Sequence, residues 1–117
     1  MIAKILVVLV ILIHVYIVVL EMLLWNTAFG RRAFGLSEEF ARKTRALAAN
    51  QGLYNLFLVI GLLWGLSFGP SGELTRVIFL GFISIAGIFG GLTVNGRIFL
   101  IQGLPGLLAL AATWYRI

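Results

Sequence analysis

Cysteine is absent from the 117-residue sequence, and so is aspartate. The first absence excludes disulfides, thiolate metal ligands and thiol nucleophiles together, and leaves the redox compartment undetermined. Histidine occurs once, at His14, and no zinc motif, nucleotide-binding glycine loop or catalytic triad is present. No metal site is expected, and nothing in the residues names a cofactor. Charge is scarce as well, at 11% of residues against about a quarter in an average soluble domain.

What fills the chain instead is apolar side chain, at 62% of residues. A water-soluble fold of this size could not hide so much. A helix crossing about 30 Å of hydrocarbon needs about 20 apolar residues, so four crossings would use most of the chain and leave no room for a soluble catalytic domain. The net charge of +5 does not point to nucleic acid, because the basic residues sit in loops and at helix ends, where anionic headgroups lie. The apolar run from Ile5 to Leu24 is too long for a signal peptide and contains Glu21, which marks it as a retained span.

The predicted fold is an all-α integral membrane four-helix bundle in one domain, residues 1–117. Its spans are expected at about 2–25, 46–66, 74–94 and 98–115, with helix 2 extended into the cytoplasm over 38–45. The Asn26 to Leu36 stretch has the glycine and arginine content of a loop, and Ser37 is positioned to cap the next helix, with Glu38 and Glu39 in its first turn. Phe68-Gly69-Pro70-Ser71-Gly72 breaks the chain before helix 3, and Pro105 should kink helix 4. Arg31, Arg32, Arg42, Lys43, Arg45 and Arg97 fall on one side of such a bundle, and Lys4, Arg76 and Arg116 on the other. That imbalance predicts a multi-pass protein of the cell membrane with both interhelical connections cytoplasmic and both termini extracytoplasmic.

An ionisable group inside a span is costly and is by default a functional hypothesis, which singles out Glu21. His14 lies two turns earlier on the same face, about 10.5 Å away along the axis. Asn50 and Gln51 on helix 2 and Gln102 on helix 4 fall at a similar depth to Glu21, and Tyr54, Asn55 and His14 extend the layer inward. Unpartnered polar groups cost several kcal/mol each in hydrocarbon, so this layer should face a common pocket. Interhelical packing is the plainer use of the amides. Arg42 and Arg45 would stand at the mouth, where they could hold the anionic end of a ligand or simply meet lipid headgroups. Glu21 is expected to pair with helix 2 through Asn50, Gln51 or Tyr54, with Gln102 next. Gly87 and Gly91, with Ala86 and Gly90 beside them, form small-residue pairs suited to close packing within the bundle or between protomers.

The segments His14 to Trp25 (HVYIVVLEMLLW), Asn50 to Leu58 (NQGLYNLFL) and Gln102 to Leu110 (QGLPGLLAL) resemble the bacterial membrane family catalogued as domain of unknown function 1304. That resemblance spans nearly the whole chain and implies a four-helix membrane protein without an established activity. Arg42 to Trp64 shows a weaker similarity to the second helix of the membrane-associated eicosanoid and glutathione metabolism proteins. Those are four-helix trimers with cytoplasmic 1-2 and 3-4 connections, so this similarity implies a trimer. The shared pattern covers Arg42, Arg45, Ala46 and, after a one-residue shift, Asn50 and Tyr54, while Leu53 stands where it has a glutamate.

The function expected is therefore that of a homo-oligomer binding an apolar or amphipathic small molecule in a polar intramembrane pocket near the cytoplasmic leaflet, a transferase-like enzyme among the activities such a pocket could serve. Glu21 would be proton acceptor or cation partner and His14 a proton-sharing neighbour. Asn50, Gln51, Tyr54, Asn55 and Gln102 would orient the ligand. The rivals are a small proton-coupled exporter using Glu21 and a packing subunit without a ligand.

Overall fold

The computed structural model describes residues 1–117 and is all-helical in its regular structure, with no strand. Five helices follow one another: α1 (Ile2–Met22), α2 (Ala28–Phe34), α3 (Glu38–Ser67), α4 (Glu73–Thr93) and α5 (Gly96–Trp114). Four of them, all but α2, are long and apolar enough to cross a membrane. They run alternately up and down, so that the two chain ends meet: the Ile2 N–H donates to the Ile117 carbonyl at 3.1 Å. The long axis is 47 Å.

Local chemistry explains each boundary. Ser37 accepts from the Phe40 N–H at 3.1 Å and starts α3, whose polar first turns continue without a break into its apolar length. A 3₁₀ turn, Gly69–Gly72, carries the chain from α3 to α4. Arg76 Nη1 closes that corner by donating to the carbonyls of Gly65 at 2.6 Å, in the last turn of α3, and of Gly69 at 2.8 Å, in the turn that follows. Removing this clamp in Arg76→Ala should lower stability by about 1–2 kcal/mol, toward the lower end for charged donors because the group is partly exposed. Thermal unfolding in detergent measures it, and an unchanged midpoint would contradict the clamp.

The segment expected as a loop between the first two spans holds the fifth helix. Thr27 caps α2 by accepting from the Gly30 N–H at 3.2 Å, and Gly35 ends it in the left-handed region with φ 66°. Trp25 lies beyond the end of α1 rather than within it: its indole N–H donates to Thr44 Oγ1 at 3.0 Å, and its ring packs against that of Phe34, tilted by 47°, with centroids 4.9 Å apart. These contacts fold α2 back over the end of the bundle.

α5 is not a uniform helix. Over Phe99–Gly103 it widens into a π turn, in which the Leu104 N–H donates to the Phe99 carbonyl five residues back. Pro105 follows at once and has no N–H to offer the ladder, so the expected kink takes the form of this widened turn.

The four long helices form a ring in the order α1, α3, α4, α5. The buried core is Val7, Val10 and Ile11 of α1, Val59 and Leu62 of α3, Leu80 and Ile83 of α4, and Ala109 of α5. All of these belong to the half of the bundle nearer the chain ends. The opposite half, under α2, is packed differently: α4 and α5 touch through glycines, while α1 packs less against the Phe99–Gly103 turn of α5 than against the rest of that helix and leaves a cavity beside it. Large apolar side chains such as Leu12, Phe89 and Leu92 cover the outside.

Candidate functional site

Only two side chains with ionisable groups are buried, and both are on α1: His14 and Glu21. Seven residues apart, they share a face directed into the ring. The groups that meet them come from different helices.

Asn55 of α3 donates through Nδ2 to Glu21 Oε1 at 2.6 Å. The partner expected from depth alone was Asn50, Gln51 or Tyr54. The difference has a geometric cause, because helical side chains lean toward the N-terminus of their own helix. On α1 that direction leads away from the α2 end and toward the bundle centre. α3 runs the opposite way, so the residue met there has a higher number. Gly52 makes the approach close enough, since a Cβ at its position would lie 3.1 Å from Glu21 Cβ and 2.5 Å from Met22 Cγ.

His14 is held from two sides. Its Nδ1 lies 2.9 Å from the Val10 carbonyl, which can only accept, so Nδ1 carries the proton and donates. In the neutral ring Nε2 then presents a lone pair, and Gln102 Nε2 donates to it at 3.1 Å. Gln102 sits inside the π turn of α5, so the irregularity ahead of Pro105 positions the amide that reaches α1.

Between α1, α3 and α5 the half under α2 encloses a cavity of about 670 Å³. Its wall is mostly apolar, from Ile13, Ile17 and Leu20 on one side to Ile98 and Ile101 on the other, and Glu21, Gln51, Asn55 and Gln102 project from it. Ala33 and Phe34 of α2, both exposed, border the end nearest α2. The rim residues Leu12, Tyr16 and Ile101 are half exposed or more, so the cavity opens on the apolar flank. Its volume lies within the roughly 300–1,000 Å³ usual for small-molecule pockets.

Four of the residues named from the sequence thus line one cavity, and His14 is bonded to one of them. The other four lie elsewhere. Asn50 and Tyr54 occupy exposed faces of α3. Arg42 is exposed, and Arg45 borders a separate cleft beside Trp25, Asn26 and Thr27. Sequence reasoning missed the contribution of α2 through Ala33 and Phe34, and that of Tyr16. A signal existed for the first in Thr27 and Gly35, a cap and a stop seven helical residues apart. No group of three or more His, Cys, Asp or Glu is placed to hold a metal ion.

The chain belongs to the family described as protein of unknown function (DUF1304), which matches residues 8–114. Among curated proteins it is similar to the uncharacterized protein YpaA of Lactococcus lactis subsp. lactis (strain IL1403), 31% identical over 103 residues that cover 86% of each chain. No solved structure matches it.

Proposed function

We propose that this is an integral membrane protein that binds an apolar or amphipathic small molecule in the cavity between α1, α3 and α5, near the cytoplasmic leaflet. The observation that carries the proposal is the Glu21–Asn55 pair, set in a mostly apolar wall that opens on the flank rather than sealed inside the core. Retaining a carboxylate where hydrocarbon surrounds it costs several kcal/mol, and a ligand contact offsets that cost where packing alone would favour a leucine. A molecule dissolved in the bilayer reaches a flank opening directly.

The same half of the bundle carries Arg31 and Arg32 in α2, Arg42, Lys43 and Arg45 in the first turns of α3 and Arg97 in the first turn of α5, which supports placing it at the cytoplasmic surface. In that setting Arg42 and Arg45 meet headgroups, since neither borders the cavity. The similarity of α3 to the membrane-associated eicosanoid and glutathione metabolism proteins makes a trimer the assembly to test. Its interface would lie away from Gly87, Gly90 and Gly91 of α4, which the chain uses internally against α5.

Because cysteine is absent, single-cysteine labelling is clean. Gln51→Cys at the cavity wall should react with a membrane-impermeant maleimide added from the cytoplasmic side of oriented vesicles and stay unlabelled from the other side. An apolar ligand should slow the reaction. Labelling from both sides would replace the pocket with an alternating-access transporter, and labelling from neither side would reduce the site to packing.

A further inference from the structure

The hydrogen-bond directions around the cavity restrict what can bind there. His14 Nδ1 donates to the Val10 carbonyl, which leaves Nε2 as an acceptor and turns the Gln102 nitrogen toward it. Glu21 Oε1 likewise draws the Asn55 nitrogen. Both amides therefore direct a donor at α1 and keep their carbonyl oxygens for the cavity. Glu21 Oε2 has no protein partner, and neither it nor those carbonyl oxygens is sealed from open space. No lysine, arginine or histidine contributes to the wall. Arg31, the basic residue nearest in sequence to Ala33 and Phe34 apart from Arg32, donates to the Asn26 carbonyl, and Arg97 next to Ile98 is exposed. Gln51 and the Tyr16 hydroxyl add groups that can act either way.

The wall thus offers acceptor oxygens and one carboxylate with nothing cationic to answer them. An anionic amphiphile would meet the carboxylate without a counter-charge. A neutral alcohol could supply one donor only. We infer that the cavity selects an apolar molecule ending in a protonated amine, whose N–H groups donate to Glu21 Oε2 and to the amide carbonyl oxygens in the same wall. This inference rests on the cavity being a ligand site. An ammonium carries three donors and the opposite charge, so it neutralises Glu21 while its tail fills the space between Ile17 and Ile101.

Decylamine, decanol and decanoate share one tail and differ at the head. Their binding to the purified protein in nanodiscs of zwitterionic lipid, measured by calorimetry against empty nanodiscs near neutral pH, tests the inference. Decylamine should bind at least about tenfold more tightly than decanol, the least expected for a hydrogen bond to a charged group, with decanoate weakest. In Glu21→Gln the advantage of the amine over the alcohol should disappear. Ile101→Trp, which fills the cavity without replacing a polar group, should weaken all three. Equal affinities for amine and alcohol in the wild-type protein, or an amine advantage that survives Glu21→Gln, would overturn the amine inference, and the cavity would stand as a site if Ile101→Trp still weakened binding. Probes indifferent to Ile101→Trp would bind elsewhere, and the cavity itself would fall. Should Glu21→Gln not fold, the amine-to-alcohol ratio of the wild-type protein decides the matter alone.

Discussion

Gly87→Leu should leave little folded protein. A Cβ at residue 87 would stand 2.2 Å from both the N and the Cα of Gly103, and 2.9 Å from the Gln102 carbonyl carbon. These are backbone atoms of the π turn, so no side chain can swing aside to make room. Only separation of α4 from α5 relieves the clash, and it would withdraw Gln102 from His14. The expected loss is at least the ~3 kcal/mol at the upper end of overpacking penalties. Gly91→Leu should also destabilise, though less, because the nearest atom there is Phe99 Cβ at 2.7 Å. Gly81 on the same helix is the control: nothing lies within 4 Å of its Cβ position, and Gly81→Ala should gain about 0.5–1 kcal/mol from helix propensity alone. Thermal unfolding followed by size-exclusion chromatography in detergent separates the three. A Gly87→Leu protein with the wild-type midpoint would mean that α4 and α5 do not touch as described.

That contact shows where the sequence is informative and where it stops. Small residues spaced by four on α4 reveal a face made for close approach, but the pattern is equally suited to a neighbour in the same chain and to a second protomer. The neighbour is α5, and the glycine that completes the contact, Gly103, precedes Pro105 in a segment where periodicity predicts only a kink. A π turn shifts the register of the helix by one residue. The extra residue has no sequence signal beyond the proline, so the pairing of Gln102 with His14 was not legible.

The long helices were legible because hydropathy over about 20 residues is a strong signal. α2 was not legible in that way, because seven residues containing Gly30 and two arginines give no such sum and only Thr27 and Gly35 mark its ends. Its stability comes from tertiary contacts instead. Gly30 is one of them: a Cβ there would run into the Leu24 carbonyl, so glycine is required by the approach of α2 to the preceding turn rather than by a loop. Depth along the helices put Gln51 and Gln102 level with Glu21 and Asn55 further in, and all four border the cavity. It could not decide which way each faced. Asn50, level with Glu21, and Tyr54, further in, both sit a quarter-turn or more around α3 from the buried line of Ala48, Gly52 and Val59.

Asn55→Leu should cost more than the double replacement Glu21→Leu with Asn55→Leu. In the single variant the Glu21 carboxylate keeps its place in an apolar wall and loses the donor 2.6 Å away. Leaving a buried polar group without its partner costs about 1–3 kcal/mol, and more for a charged one. Glu21→Leu alone strands the Asn55 amide, which is neutral and only partly buried, so its cost should be smaller. The double variant strands neither group and places leucine against Leu20, Ile17 and the neighbouring apolar wall, so it should recover most of the loss and could exceed the wild type. Thermal or denaturant unfolding of all four proteins closes the cycle, with decylamine binding measured beside it. A double variant that is as stable as the wild type yet binds no amine would show that the pair is kept for its ligand, since the fold does without it. If the two single losses simply add in the double variant, the carboxylate and the amide do not act on one another, and the site built on their contact is wrong.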